Sequence, residues 1–222
     1  MENLKLEGIS VHIGSQITNI EPFKRMLSVI NKTINKTKIN FKFIDLGGGM
    51  GISYSKKEKQ INLSLYAKEV SKFLKNKNSR IIFEPGRFIV GNAGILITKI
   101  IYIKKSNNKY FVILDAGMND LMRPALYDAE HQIIPLKKSN KIFKGNLKFV
   151  GPICENSDKF STQKKFSQIK EGDYLALANV GAYGMSLSSN YNTRPTLSEI
   201  MVKGLKHKVI KKRQSLENLV KN

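Results

Sequence analysis

The chain has a single cysteine, Cys154, among 222 residues. One thiol excludes an internal disulfide framework and fits a reducing, cytoplasmic setting. Long apolar runs are also missing, since none reaches the roughly 18–20 residues that a membrane-spanning helix needs. The N-terminus, Met1-Glu2-Asn3-Leu4-Lys5, lacks the basic-then-apolar pattern of a secretory signal. Without export, Asn-x-Ser/Thr triplets such as Asn31-Lys32-Thr33 carry no glycosylation meaning. Acidic residues are scarce, 17 against 38 basic ones, for a formal charge of +21. Such an excess invites a nucleic-acid partner. The lysines, however, are scattered and not striped, and they accompany abundant Asn and Ile, a mixture that an AT-rich coding bias produces. Charge alone is a non-specific signal. Neither a nucleic acid nor a membrane is therefore expected as a partner, and no metal is called for.

What is present is enough hydrophobic residue, 41%, to build a core. Up to residue 94 one pattern repeats: an apolar run, a loop with glycine, an amphipathic helix. The runs are Gly8 to Ile13, Phe41 to Leu46 and Arg80 to Phe83. A first helix starts near Pro22, a favoured first-turn residue, with Phe23, Met26, Leu27, Ile30 and Ile34 on one face. A second carries Leu65, Tyr66, Val70, Phe73 and Leu74. The spacing of the runs is that of βα units, which predicts a parallel sheet or barrel with its chemistry at the C-terminal strand ends. Three units cannot close an eight-stranded barrel, so they form a small open sheet or the tail of a barrel.

After Gly94 short β-type runs take over: Ile95 to Ile103, Lys109 to Leu114, Tyr174 to Ala178, Glu199 to Lys203 and His207 to Lys211. A short helix, Ser215 to Val220, closes the chain. Runs punctuated by Gly, Asn and Pro predict an all-β domain. The expected division is residues 1–95, α/β, and residues 96–222, all-β.

Candidate chemistry gathers at the run ends. Gly47-Gly48-Gly49 follows the second run directly; with a helix to follow, bare N–H groups there suit a phosphate, and a turn without ligand also fits. His12 leaves the first run at its end and Ser15 follows it. Glu84-Pro85-Gly86-Arg87 follows the third, where the carboxylate suits a cationic ring nitrogen, or else pairs with Arg87 as a surface ion pair. Arg123 and Tyr127 set a guanidinium and a phenol four residues apart, as carboxylate recognition requires, or as an exposed loop arginine beside a packed tyrosine. Cys154 stands between a proline turn and the acids Glu155 and Asp158, which favours an exposed, reactive thiol over a buried one. Tyr183 lies in the tight loop Gly181-Ala182-Tyr183-Gly184.

The ordered set HIGSQI (12–17), DLGGGMGISY (45–54), EPGR (84–87), DAGMNDLMRPALYDAEH (115–131), GPICENSD (151–158) and GAYGMSLSSNYN (181–192) closely resembles the diaminopimelate decarboxylase family. That resemblance runs over essentially the whole chain. It implies that residues 1–95 are the last three, C-terminal βα units of a TIM-type, alanine-racemase-like (β/α)8 barrel and bind the cofactor, and that residues 96–222 are a Greek-key β domain with substrate-binding and dimer-interface loops. It implies pyridoxal 5'-phosphate as cofactor and meso-diaminopimelate as the small-molecule substrate, decarboxylated to L-lysine in the last step of lysine biosynthesis. It also implies a homodimer with shared active sites. By the same resemblance His12 would stack on the cofactor ring, and Ser15, Gly47, Gly48, Gly49, Gly86 and Arg87 would hold the phosphate, with Pro85 in the same turn. Glu84 would pair with the ring nitrogen. Arg87, Arg123 and Tyr127 would bind substrate carboxylates, Glu155 the distal amino group, and Tyr183 both cofactor and substrate. Cys154 would be the proton donor, reaching with Glu155 into the neighbouring subunit's site.

Family members are about twice as long as this chain. The resemblance thus implies that the front of the barrel, with the lysine that joins the cofactor covalently, lies outside these residues and that the chain alone is inactive. Tyr66-Ala67-Lys68 looks like that lysine motif but falls within a helical stretch. Ornithine-, arginine- or carboxynorspermidine-type decarboxylases, and a non-catalytic dimerising partner, are the alternatives.

Overall fold

The computed structural model describes residues 3–55, 58–137 and 139–221. The chain divides into two compact units, Met1–Ala93 and Gly94–Asn222.

In the first unit, β1 (Gly8–Ser10), α1 (Glu21–Thr37), β2 (Phe43–Asp45), α2 (Leu63–Leu74), β3 (Arg80–Ile82) and α3 (Gly86–Val90) follow in order. The strands form a parallel sheet, β1-β2-β3, in register Gly8↔Phe43↔Arg80. Helix α1 forms where Pro22 presets the first turn and Glu21 complements the N-terminal dipole. It ends at Lys38, which turns left-handed and donates its N–H to Ile34 O at 3.0 Å. Asn62 caps α2, its Oδ1 accepting from Leu65 N at 3.0 Å. Both helices lay their apolar stripes on the sheet. Phe23, Met26, Leu27 and Ile30 from α1 meet Tyr66, Val70 and Phe73 from α2 over Ile44 and Leu46. Each such side chain contributes about 1.5–3 kcal/mol by leaving water.

The second unit holds β4 (Ile95–Ser106), β5 (Lys109–Leu114), α4 (Arg123–Tyr127), β6 (Ile133–Pro135), β7 (Ile142–Val150), β8 (Lys159–Ser167), β9 (Tyr174–Ala178), β10 (Glu199–Lys203), β11 (Lys206–Lys211) and α5 (Leu216–Val220). Six strands make one sheet, β6-β9-β4-β5-β7-β8, while β10 and β11 form a separate hairpin. The sheet departs from the Greek-key expectation at one pairing: β5 and β7 run parallel. The connection between them carries α4 and β6, long enough for the crossover that a parallel pair needs. Its core is Ile100, Val112, Leu114, Leu147, Phe149, Leu175 and Leu177, all essentially without solvent exposure. No helix among the described residues is long and apolar enough to cross a membrane.

Candidate active site

Register places the first unit's loops at a single sheet edge. The ladder runs on past the strands: Val11 N donates to Asp45 O and Leu46 N to Ile82 O, both at 3.0 Å. One step further, Glu84 N donates to Gly47 O at 2.8 Å. The C-terminal strand ends therefore bring His12, Gly47 and Glu84 side by side. The first two loops are joined again by Ile17 N to Gly49 O at 2.9 Å and Gly51 N to Ile17 O at 3.0 Å. Gln16 closes the same seam, its Nε2 donating to Ile52 O at 2.6 Å.

These contacts show why three glycines stand in a row. A Cβ on Gly47 would lie 2.3 Å from Val11 O, one on Gly48 2.2 Å from Glu84 O, and one on Gly49 2.3 Å from Gly14 O. Gly47 and Gly49 also hold left-handed φ values of +64° and +86°. The residues are glycine because neighbouring backbone occupies the place of a side chain. Asp45, which the sequence analysis passed over, turns back to accept from Gly47 N at 2.8 Å.

The helix expected behind the glycine loop is α2, but it begins only at Leu63, so its N-terminus does not open directly at the glycines. The strand that turns straight into a helix is β3, through Glu84-Pro85 into α3. Gly86 N already donates to Glu84 O at 2.9 Å, so its amide serves the turn. Nor does Glu84 form the surface ion pair weighed above: among the described residues no salt bridge joins it to Arg87. Arg87 Nη2 instead donates to Ser15 Oγ at 3.3 Å, and Nη1 to the Tyr54 hydroxyl at 2.5 Å. Tyr54 lies 33 residues from Arg87, a contact that no local spacing reveals. His12, Ser15 and Glu84 are exposed at this edge. A guanidinium, a hydroxyl, an imidazole and a carboxylate thus surround a backbone cradle.

In the second unit Arg123 and Tyr127 reverse the packing weighed above. Arg123 is buried and Tyr127 is 64% exposed. Arg123 Nη1 donates to His131 Nε2 at 3.0 Å, and His131 Nδ1 lies 2.8 Å from Ala178 O. Arginine has no acceptor, so Nε2 must accept and the proton sits on Nδ1. Cys154 and Glu155 are exposed on the loop between β7 and β8. The buried Asp158 holds that loop, accepting from Ile153 N and Met118 N, each at 2.7 Å. Burial pushes the Asp158 carboxyl above the ordinary range, although both amide bonds oppose the shift. Tyr191, a second residue that sequence spacing missed, donates its hydroxyl to Glu155 Oε1. Tyr183 is partly exposed and takes a left-handed φ of +66°.

The pattern of the pyridoxal-dependent decarboxylases, C-terminal sheet domain, matches residues 23–181, and the chain belongs to this family. Within it the similarity is to proteins named diaminopimelate decarboxylase. The chain is 41% identical over 225 residues to that of Zymomonas mobilis, covering 99% of this chain and 53% of the relative. It is 40% identical to that of Aquifex aeolicus over the same shares. Among solved structures, AQ1208 from Aquifex aeolicus superposes with a TM-score of 0.93 at 39% identity, over 99% of this chain and 55% of that one. The Helicobacter pylori diaminopimelate decarboxylase complexed with L-lysine gives 0.88 at 41% identity, over 97% and 54%. The chain spans about half the length of the curated relatives it matches.

Proposed function

We propose that these residues form the C-terminal half of a diaminopimelate decarboxylase, with the first unit continuing a (β/α)8 barrel. The observation that carries the reading is the strand-end edge, where His12, the glycine cradle, Glu84 and the Ser15–Arg87 pair converge. That donor set fits pyridoxal phosphate. Arg87, Ser15 and the cradle amides suit its phosphate, Glu84 its ring nitrogen, and His12 its ring face. When bound, the cofactor supplies a cationic ring that takes up the electron pair released as carbon dioxide leaves. The carboxylate of Glu84 keeps that ring protonated. Residues 11–16, 46–55 and 83–88 contain no lysine, so covalent attachment has to come from elsewhere.

Arg87, Arg123, Tyr127 and Tyr183 are assigned to substrate binding, the arginines to its carboxylates. Glu155 is assigned to the distal ammonium group. Cys154 delivers a proton to the carbon that lost its carboxylate, which requires the thiol and not the thiolate at that moment. In a homodimer Cys154 and Glu155 serve the partner's site. The reading is tested by supplying the cofactor-loaded, intact protein with meso-diaminopimelate, ornithine and arginine in parallel. Release of L-lysine from diaminopimelate, abolished by Glu155→Ala, is the expected result. Faster turnover of ornithine or arginine would sink the assignment. Structures named arginine decarboxylase and lysine/ornithine decarboxylase share only the fold, at 20% and 19% identity.

A further inference from the structure

Tyr191 and Glu155 lie 36 residues apart on different loops, yet the Tyr191 hydroxyl donates to Glu155 Oε1. The segment that presents Tyr191 is strained. Asn192 and Thr193 take left-handed φ values of +56° and +55°. Asparagine tolerates that region, whereas a β-branched threonine there is a steric outlier. Such strain persists only where the surroundings over-determine it, and here they do. Asn190 Nδ2 donates to Arg194 O at 2.8 Å and to Gln214 Oε1 at 2.6 Å. Arg194 is fastened in turn: Nε donates to Asn119 Oδ1 at 2.9 Å, and Nη2 lies 3.5 Å from Asp120 Oδ2. Asn119 and Asp120 are buried.

Glu155 is held from the other side. Its loop hangs on the buried Asp158 carboxylate, which accepts from two backbone amides at 2.7 Å. Two rigid supports thus converge on one carboxylate with a flexible side chain. The phenol has a single hydrogen to give, and it goes to Oε1. Among the described residues Oε2 has no partner.

Resting on the function proposed above, we propose that Tyr191 is a positioning residue that sets the Glu155 carboxylate so that its free oxygen receives the distal ammonium group of the substrate. A hydroxyl-to-carboxylate bond is charge-assisted and stronger than a neutral one. Glutamate loses much rotamer freedom when ordered, and ordering it in advance removes that cost from substrate binding. The contact exists before substrate arrives and lies away from any bond that changes. It therefore acts on binding and not on turnover. The pair leaves its own signature on Tyr191: the bond to Glu155 holds the phenol above its usual value, with the charges of Glu155 and Cys154 adding.

The test uses Tyr191→Phe, which keeps the ring and removes only the hydroxyl. In the intact, cofactor-loaded protein the KM for meso-diaminopimelate should rise about tenfold with kcat within about twofold. Affinity for L-lysine should fall alike, and affinity for norleucine, which lacks the distal amine, should not change. An unchanged KM, or an equal loss for L-lysine and norleucine, overturns the proposal. A second readout needs no activity. With ring-carbon-labelled tyrosine, Tyr191 should titrate at higher pH than free tyrosine, and Glu155→Gln should close the gap. Tyr191 titrating together with free tyrosine in the parent overturns the pairing. A parent that acts on another basic amino acid while keeping this gap separates failure of the substrate assignment from failure of the present one.

Discussion

Gly48 and Gly86 stand in motifs that look alike as sequence, and the structure gives them different work. The missing side chain of Gly48 makes room for Glu84 O, 2.2 Å from where a Cβ would sit, whereas Gly86 has nothing within 4 Å. The two nearest atoms to a Gly48 Cβ, Glu84 O and Glu84 C at 2.2 and 3.1 Å, are backbone, which cannot swing aside as the end of a flexible side chain can. Gly48→Ala should therefore push the second and third loops apart and cost about 2 kcal/mol, the usual price of overpacking. Gly86 sits in the first turn of α3, where alanine is the better helix former. Gly86→Ala should leave stability within about 0.5 kcal/mol of the parent. Thermal melts of the two variants decide the matter. Gly48→Ala should lower Tm by roughly 4–8 °C and Gly86→Ala should barely move it. Equal shifts would mean that the loop is held by ligand-facing geometry and not by its neighbours' backbone.

Elements were legible in the sequence where period and composition agreed. The stripe Phe23, Met26, Leu27 and Ile30 marks α1 because one face is buried and the other solvated. β7 and β8 are hard to read because lysines interrupt them: in β8 only Phe160 and Phe166 are buried, the lysines and Thr162 are exposed, and the serines and Gln163 are half-buried. Helix α4 offers no periodicity to read, being barely one turn with a proline at its start. The site was legible as residue types at strand ends. Its long-range ties, Arg87 to Tyr54 and Tyr191 to Glu155, were not, because only the fold sets those distances. The loop between β7 and β8 shows what such a tie does. Asp158 binds a proton more readily in the folded chain than in the unfolded one, since burial raises its pKa. Its favourable contribution is thus fully present below the ordinary value of 3.8 and is lost as pH rises through the folded value. Asp158→Asn removes that dependence and aims an amide group at a backbone donor. It should cost about 1–3 kcal/mol at pH 7. In urea melts at stepped pH, the parent's advantage should widen as pH is lowered from 7 toward 4. An advantage that narrows would mean that the two amide bonds outweigh burial and hold the carboxyl low.

At the scale of the molecule, the cofactor cradle and the covalent anchor separate. The first unit has donors that suit a phosphate and a carboxylate that suits a ring nitrogen, but residues 11–16, 46–55 and 83–88, which line that edge, include no lysine. Lys68, whose local sequence looks like an anchor, lies exposed within α2 and away from any strand end. On the function proposed above, such a cradle would hold the phosphate through amides, a hydroxyl and one guanidinium and would leave the aldehyde carbon unattached. These 222 residues, purified alone and given pyridoxal phosphate, should hold it reversibly. Borohydride should then fix no stoichiometric adduct at any single lysine, although sparse labelling over many of the exposed lysines is expected. L-lysine should not form from diaminopimelate. The two measurements are absorbance before and after reduction, with peptide mapping of the reduced sample, and a product assay. One lysine labelled in full together with turnover would show that another residue of this chain supplies the anchor, and the division of labour argued here would fall. Reversible binding that Arg87→Ala weakens, with neither adduct nor turnover, would place the phosphate on the edge where Ser15, Tyr54 and Arg87 meet.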